Sequence, residues 1–227
     1  MTRYAIYATP PTDSALWDLG SSILGYDAVT GRDVPFPDHP VFHDPLSLAW
    51  SAEPRRYGFH ATLKAPFHLA EGGDAAALQA DLAGFCKGRK PFTLDLTLAV
   101  VGHFLALVAV APEQAIDALA ADCVRHFDPY RAPLTPEDRE RRHPETLIQR
   151  QVENLDTWGY PYVFDDFQFH MTLTGAMEPA DRHRLEPVLR DLLAKVPLRL
   201  TVEALSLFVQ PDREGRFVVV ERCPFGG

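Results

Sequence analysis

Two copies of one short motif, 110 residues apart, are the sequence feature that most constrains the fold of this chain. The first copy is FHATL at residues 59–63 and the second is FHMTL at 169–173. In each copy a phenylalanine precedes a histidine, and a threonine and a leucine follow at the same spacing. The recurrence of so specific a motif indicates that a structural unit is duplicated in the chain.

The segments that follow the two copies also share one order of predicted elements. In each half of the chain, the strand that carries the motif is followed by an amphipathic helix and then by two strands. The sequence therefore predicts two copies of a strand-helix-strand-strand unit. The predicted elements are 57–69, 74–88 and two strands within 91–111 in the first copy, and 167–175, a helix from Pro179, 198–210 and 216–222 in the second.

Within each copy, the alternation of a strand separates polar from apolar side chains. Successive side chains point to opposite faces, so Phe59, Ala61 and Leu63 share one face, which belongs in a core. Two such strands related by a pseudo-twofold axis would bring their polar faces to one cleft. The residues predicted to face that cleft are His60, Thr62 and Lys64 in the first copy and His170, Thr172 and Thr174 in the second.

A pair of histidines facing one cleft can divide acid and base chemistry. A single strand histidine is more often a packing residue, so the prediction depends on the pair. Because imidazole titrates near neutral pH, one ring can take a proton from a nucleophile while the other donates one to a leaving group. A phosphate suits this division, and the hydroxyls of Thr62 and Thr172 would donate to its oxygens. Lys64 would add positive charge or else be an exposed strand lysine, and the sequence leaves open which histidine is the base.

Two long segments interrupt the duplicated order and are candidates for covering the cleft. Residues 26–56 are rich in proline and lack periodic signals. Residues 128–162 predict helices with charges of mixed sign, so this insert is either a solvated linker or a lid. We expect at least one of Tyr57, Arg131 and Tyr160 to line the cleft and bind substrate beside the histidines.

Composition and short motifs restrict the remaining classes of function. The net charge of -9 disfavours binding to long nucleic acid, which depends on clustered Lys and Arg. No apolar run is long enough to span a bilayer, the N-terminus lacks signal-peptide features, and the three cysteines have no C-x-x-C spacing. A soluble cytoplasmic protein with reduced thiols is therefore expected.

Metal and cofactor motifs are missing from the sequence. His39 and His43 are four residues apart, but Pro40 between them resists a helix. There is no H-E-x-x-H, G-x-x-x-x-G-K-[ST], G-x-G-x-x-G or G-x-S-x-G. We therefore expect neither a metal nor a cofactor, and a monomer that binds a small molecule.

The paired motif resembles the signature of the two-histidine (2H) phosphoesterase superfamily, which is two H-x-[ST] motifs on facing lobes. The strings YGFHATLKAPF, PYRAPLTPEDRERR, WGYPYVFDDFQFHMTLTG and RYAIYATPP are similar to one branch, uncharacterised proteins associated with phosphonate metabolism. The resemblance covers nearly the whole chain. It implies a bilobal α+β fold of the LigT-like kind, in which two pseudosymmetric antiparallel-sheet lobes with outer helices enclose a central cleft. The single domain, 1–227, would divide into lobes at about 1–127 and 163–227.

The resemblance also implies an enzyme, a metal-independent cyclic phosphodiesterase with His60, Thr62, His170 and Thr172 as its catalytic set. The substrate would be a ribosyl or nucleoside cyclic phosphate, and the association with phosphonate metabolism favours a ribosyl one. Membership of a superfamily does not fix the substrate. Two alternatives stay open: an enzyme acting on 2′,3′-cyclic ends or 2′-5′ linkages of RNA, and a non-catalytic protein that binds a phosphate ligand in the same cleft.

Overall fold

The computed structural model describes residues 1–227, except for the side chains of Leu46 and Ser47. It combines helices with a large antiparallel sheet, so the expected α+β class is confirmed. The strands are β1 (Arg3–Ala8), β2 (Tyr26–Asp27), β3 (Arg32–Asp33), β4 (Ala61–Phe67), β5 (Phe92–Val101), β6 (Phe104–Ala109), β7 (Met171–Thr172), β8 (Arg199–Val202), β9 (Ala204–Gln210) and β10 (Val218–Pro224). The helices are α1 (Ala15–Leu24), α2 (Pro45–Ala52), α3 (Ala75–Lys87), α4 (Gln114–His126), α5 (Pro136–Glu140), α6 (Gln149–Trp158) and α7 (Pro179–Leu193).

Eight strands form one sheet in the order β10-β9-β1-β4-β7-β6-β5-β8, and every neighbouring pair is antiparallel. The strands β2 and β3 form a separate hairpin. At the centre of the large sheet, β4 and β7 pair directly with each other. These are the strands that begin immediately after His60 and His170, so the duplicated motif lies at the middle of the sheet.

The predicted order of elements recurs, with one difference in the second copy. The first copy runs β4-α3-β5-β6, and the second runs β7-α7-β8-β9. The strand predicted over 198–210 is divided at Glu203 into β8 and β9, because β8 pairs with β5 at one edge of the sheet while β9 pairs with β1 in the other half. The chain therefore crosses the sheet between these two strands.

Because of this crossing, each half of the sheet contains strands from both of the ranges 1–127 and 163–227. The half of the sheet next to His60 contains β1 and β4 from the first part of the chain but also β9 and β10 from its end. The half next to His170 contains β7 and β8 together with β5 and β6. Each half thus completes its strand hydrogen bonding with strands from the other part of the chain.

The apolar faces of the motif strands are buried, as the alternation predicts. Phe59, Ala61 and Leu63 are at most 3% exposed, and the corresponding Phe169, Met171 and Leu173 are at most 8% exposed. Around this sheet, α3 packs against β9 and β10, α4 against β4, and α7 against β6. The core therefore fixes the backbone on which the histidines are carried.

Helix α1 approaches the first motif closely. A Cβ atom at Gly20 would lie 2.2 Å from the ring of Phe59, so only glycine permits this contact. Helix α1 begins at an N-cap, Ser14, whose hydroxyl accepts a hydrogen bond from the backbone N–H of Trp17. Among the helices described, none combines the length and the apolar character that a membrane crossing requires.

Candidate active site

The two H-x-T motifs meet across the central strand pair. Ala61 lies opposite Met171, so the antiparallel register places His60 opposite Thr172 and Thr62 opposite His170. All four side chains line one cavity of about 290 Å³. The structure thus brings together the four residues that the motif predicts, in the crossed arrangement of a pseudo-twofold axis.

The ring of His60 is fixed by three contacts. Its Nδ1 lies 2.9 Å from the carbonyl oxygen of Gly58, its Nε2 lies 3.2 Å from Oγ1 of Thr62, and the ring of Tyr7 stacks on it at 3.8 Å. Because a carbonyl only accepts, Nδ1 carries the proton and Nε2 of the neutral ring accepts from the Thr62 hydroxyl. Gly58 holds its carbonyl in place at φ 76°, a conformation that favours glycine.

His170 has the same backbone hydrogen bond but different neighbours. Its Nδ1 lies 2.9 Å from the carbonyl oxygen of Gln168, two residues earlier, as in the first motif. The ring of Phe104 lies beside it, with the ring centroids 5.7 Å apart. Nδ1 is again the protonated nitrogen, so both rings present Nε2 for chemistry.

Burial lowers the pKa of both histidines. The pKa of His60 falls to about 4, mainly through burial and further through the positive charge of His170, while the Gly58 carbonyl raises it. The pKa of His170 is lowered by burial and raised by the Gln168 carbonyl. His60 is therefore held neutral at physiological pH, and its Nε2 is available as a base.

Both long segments contribute to the wall of the histidine cavity. Tyr57 lies at the end of the 26–56 loop, with its ring centroid 6.2 Å from that of His60. Tyr160 and Arg142 reach the cavity from the insert, and the Arg142 guanidinium lies 5.0 Å from the centroid of the Tyr160 ring. The insert thus supplies part of the site and is more than a solvated connection.

Lys64 does not present a free charge to the cleft, which corrects its predicted role in binding substrate. Its Nζ lies 2.8 Å from Oδ1 of Asp128 and 3.1 Å from the carbonyl oxygen of Val124, and the side chain is 3% exposed. The strand alternation fails here because β4 has an extra residue, Leu63, relative to β1. Lys64 therefore anchors β4 to the end of α4.

Arg131 is also occupied by structural contacts. Its Nε lies 2.9 Å from Oδ1 of Asp128, and its Nη2 lies 2.8 Å from the carbonyl oxygen of Thr157. It lines an adjoining cavity rather than the one with the histidines. The sequence could not foresee this, because the carboxylate and carbonyl that hold the guanidinium are brought together only by the fold of the insert.

Two residues of the site escaped the sequence prediction. Tyr7 lines the histidine cavity and lies opposite Thr62 in the pairing of β1 with β4. Arg142 stands in the charged insert with no local pattern that separates it from its neighbours. The segment RYAIYA predicts that Tyr7 lies on a strand. Only the pairing of β1 with β4 reveals which cavity the ring adjoins.

Clusters of metal-ligating side chains and free thiols are the other reactive groups to consider in the described residues. Among them, no group of three or more His, Cys, Asp or Glu side chains could hold a metal ion. The three cysteines are free and buried, and burial raises the pKa of the Cys86 thiol to about 12 and that of Cys123 still further. Such thiols are poor nucleophiles.

Comparison with known proteins gives a family, two curated relatives and a set of solved structures. Ribose 1,5-bisphosphate phosphokinase PhnN of Janthinobacterium sp. (strain Marseille) is 39% identical over 235 residues, which cover 100% of this chain and 51% of that protein. The protein of the same name from Laribacter hongkongensis (strain HLHK9) is 35% identical over 95% of this chain and 50% of its own. The chain spans about half the length of these curated relatives.

Among solved structures, LigT of E. coli in its apo form aligns over 100% of this chain and 99% of its own, with a TM-score of 0.45 and 13% identity. LigT complexed with phosphate aligns with a TM-score of 0.43 and 14% identity, over 100% of this chain and 98% of its own. The model of a family described as "Protein of unknown function (DUF1045)" matches residues 62–218, more than half of the chain. The chain therefore belongs to the DUF1045 family.

Proposed function

We propose that this protein hydrolyses a small cyclic phosphodiester, a ribosyl or nucleoside cyclic phosphate, by acid and base catalysis without a metal. The observation that carries the proposal is the pair of imidazoles in one cavity. Each ring has its Nδ1 proton bonded to the carbonyl two residues earlier, which makes Nε2 the reactive nitrogen, and in the free protein Nε2 of His60 accepts from the Thr62 hydroxyl. When one of the two rings is protonated, this arrangement offers one proton acceptor and one proton donor at the start of adjacent strands.

His60 is the base in this mechanism and His170 is the acid. The neutral Nε2 of His60 takes a proton from a water molecule, whose oxygen attacks phosphorus. The bond between phosphorus and the ribose oxygen breaks, and His170 in its imidazolium form donates a proton from Nε2 to that oxygen. The product is a phosphate monoester with a freed hydroxyl, and a proton passes back from His60 to His170 through solvent.

The low pKa of His60 supports this assignment of roles. A ring with a pKa of about 4 is neutral throughout the physiological range, as a base must be. Positive charge on His170 lowers the pKa of His60 further, so the pair favours one proton rather than two. An anionic phosphate between the rings favours the charged form of His170, because an opposite charge stabilises imidazolium.

Hydroxyl groups would stabilise the charge that develops on phosphorus. Thr62 and Thr172 lie beside the histidines on the same cavity wall, and the phenols of Tyr57 and Tyr160 line it as well. Donors placed before the reaction are effective in a partly water-excluded site. The Thr62 hydroxyl, which donates to His60 in the free protein, would turn towards a bound phosphate.

The name of the curated relatives supports a phosphorylated ribose as the skeleton of the substrate. Ribose 1,5-bisphosphate is part of that name. A kinase of the P-loop type needs G-x-x-x-x-G-K-[ST], and the sequence of this chain has none. The hydrolytic activity proposed here concerns the half of those proteins that this chain covers.

An RNA-end phosphodiesterase is the second candidate, and one observation favours it. A cavity lined by several arginines opens beside the histidines, as a path for a nucleic-acid backbone would. Its volume of about 280 Å³ is that of a small-molecule pocket and not of a track for several nucleotides. We therefore keep a small substrate as the proposal.

The test is hydrolysis of 2′,3′-cyclic AMP by the purified protein, followed by phosphorus NMR of the product. We expect a single phosphate monoester, with activity that survives dialysis against EDTA. Activity that disappears with EDTA and returns with zinc or manganese would make the histidines metal ligands instead. Binding of the cyclic phosphate without turnover would leave a non-catalytic ligand-binding protein.

A further inference from the structure

An arginine-lined cavity of about 280 Å³ lies next to the histidine cavity. The two share one wall, formed by Glu53, Tyr57, Ala65, Pro66, Tyr160 and Arg142. Seven of the 22 Lys and Arg residues of this acidic chain line the arginine cavity. So strong a concentration of positive charge in a chain of net charge -9 calls for a physical reason.

Four of the seven cations are neutralised by carboxylates. Lys64 and Arg131 share Asp128, Arg213 pairs with Asp138, and Arg141 pairs with Glu137. The remaining three are Arg3, Arg56 and Arg142, and none of them has a carboxylate within ion-pair distance among the described residues. Among the described residues that line the cavity, Glu53 is the only carboxylate without an ion pair, so positive charge remains in excess.

The three arginines keep donors for a ligand. Arg3 uses Nε to bond Oε1 of Gln210, and Arg56 uses Nη2 to bond the carbonyl oxygen of Arg213. Arg142 has only its cation-π contact with Tyr160 among the side-chain contacts described. A guanidinium has five N–H donors in a planar fork that fits two phosphate oxygens, so each of these groups retains binding capacity.

A buried hydroxyl points to the same place independently. Tyr7 is 0% exposed, and its hydroxyl has no hydrogen-bond partner among the described residues. Tyr7 stacks on His60 and lines the histidine cavity together with Tyr57, Tyr160 and Arg142, which also line the arginine cavity. Burial raises the pKa of the Tyr7 hydroxyl well above its ordinary value. A buried hydroxyl without a hydrogen-bond partner is unfavourable, so a ligand oxygen at this junction would relieve that penalty.

We propose that the arginine cavity binds a phosphate monoester carried by the same molecule whose cyclic phosphodiester lies between His60 and His170. The proposal rests on the hydrolytic function above and narrows its substrate to a small doubly phosphorylated molecule. Arg142 and Arg3 hold the monoester dianion, and the Tyr7 hydroxyl bonds the substrate at the junction. Tyr57, Tyr160 and Arg142 lie on the wall between the two anions, so one small molecule can reach both cavities.

A monoester dianion fits better than the diester of a nucleic acid. The buried charge of Arg3 is already disfavoured by burial and by the nearby charges of Arg213 and Arg142, and these lower its pKa. A dianion offsets this repulsion more than the monoanion of a diester does.

The experiment compares two substrates that differ in one phosphate. They are 2′,3′-cyclic AMP and the same nucleotide with a 5′-phosphate, assayed by kcat/KM with the native protein and with Arg142→Met. Methionine keeps an apolar chain over Tyr160 and removes the charge. We expect the 5′-phosphate to raise kcat/KM about tenfold or more, and Arg142→Met to remove most of that ratio, with Arg142→Lys retaining part of it.

Arg139→Met is the matched control, because Arg139 stands on the same insert but pairs with Asp156 outside both cavities. For Arg139→Met, the ratio of kcat/KM with the 5′-phosphate to kcat/KM without it should equal that of the native protein. A third substrate, a dinucleotide ending in a 2′,3′-cyclic phosphate, presents an internal diester instead of a monoester. An equal gain with the dinucleotide would overturn the proposal in favour of an RNA end.

Calorimetric titration with ribose 5-phosphate separates this proposal from the hydrolytic one. If both nucleotides are hydrolysed at equal rates and Arg142→Met leaves ribose 5-phosphate binding unchanged, the second anion site is wrong while hydrolysis stands. If neither nucleotide is hydrolysed, the hydrolytic function fails. Weaker ribose 5-phosphate binding by Arg142→Met, with ribose itself as the blank, would still establish the anion site, and unchanged binding would reject it.

Discussion

The two H-x-T motifs have the same local geometry but different surroundings. In both, Nδ1 of the histidine lies 2.9 Å from the carbonyl oxygen two residues earlier, and the apolar residues on either side are buried. The first histidine, however, stacks on Tyr7 at 3.8 Å and contacts Thr62, whereas the second has Phe104 beside it at 5.7 Å. The duplicated residues fix the orientation of the rings, and the neighbours that are not duplicated contribute to the burial that lowers the pKa of both histidines.

The difference extends to the strands that carry the motifs. β4 has seven residues and β7 has two. The fourth residue after each histidine also differs: Lys64 forms a buried ion pair, while the Thr174 hydroxyl accepts from the N–H of Leu105 and donates to the carbonyl of Gly175. The two copies of the motif therefore have different structural surroundings. A division into one base and one acid requires such a difference.

The largest expected effect comes from removing either histidine. His60→Ala and His170→Ala should each lower kcat/KM by about 10²–10⁴-fold, or about 3–5 kcal/mol of barrier, because each removes one proton transfer. The double variant should lose little more than the worse single variant, since the two act as one unit. Steady-state kinetics with circular dichroism to confirm folding would measure this.

His183→Ala is the control for these variants, because His183 is exposed on α7 outside the cavity. Its kcat/KM should match that of the native protein. Additive losses in the double variant would mean that the two histidines act in separate steps. Full activity in either single variant would remove that ring from the mechanism.

The pH profile tests the assignment of base and acid. His60 must be neutral, so activity falls as the pH decreases through its pKa of about 4. His170 must be protonated, so activity falls about tenfold per unit as the pH rises above its pKa, which burial holds below the usual 6.5. A plot of kcat/KM against pH should therefore be bell-shaped, with its maximum on the acid side of 6.5.

Phe104→Ala would test the assignment of base and acid further. Opening the surroundings of His170 reduces its burial, so the alkaline limb should move to higher pH while the acid limb of His60 stays in place. A shift of the acid limb alone would reverse the two roles. A maximum above pH 8 in the native protein would exclude a histidine acid altogether.

The part of this site that the sequence predicts is the part that depends on local periodicity. Strand alternation is a property of neighbouring residues, so the placement of His60 and Thr62 on one face followed from the motif alone. The role expected for Lys64 failed because a bulge at Leu63 depends on pairing with β1, which is distant in the sequence. The exchange of β9 between the halves is likewise a long-range pairing that no local pattern encodes.

Substitutions of the two threonines should lower kcat/KM less than substitutions of the histidines do. Thr62→Val and Thr172→Val each remove one phosphate donor, so each should lower kcat/KM on the order of 1–3 kcal/mol. Thr62→Val should cost more, because in the free protein the Thr62 hydroxyl also bonds Nε2 of His60 and orients that ring before the substrate binds. The corresponding serine variants should retain most of the activity, and equal losses at the two positions would show that the hydrogen bond to His60 has no part in the reaction.

The smallest expected effect is on stability. Tyr7→Phe keeps the ring stacked on His60 and makes the first motif resemble the second, whose neighbour Phe104 has no hydroxyl. Because the Tyr7 hydroxyl is buried without a partner among the described residues, its removal should raise the free energy of unfolding by up to about 1 kcal/mol, measured by urea denaturation.

Tyr26→Phe is the matched control, since that buried hydroxyl donates to the carbonyl of Phe217 at 2.8 Å and its loss should lower the free energy of unfolding by about 1 kcal/mol. If the Tyr7 hydroxyl serves a ligand, the same substitution should also weaken binding of ribose 5-phosphate, so that stability and affinity change in opposite directions. A fall in stability as large as that of Tyr26→Phe would instead mean that the folded protein already satisfies the Tyr7 hydroxyl.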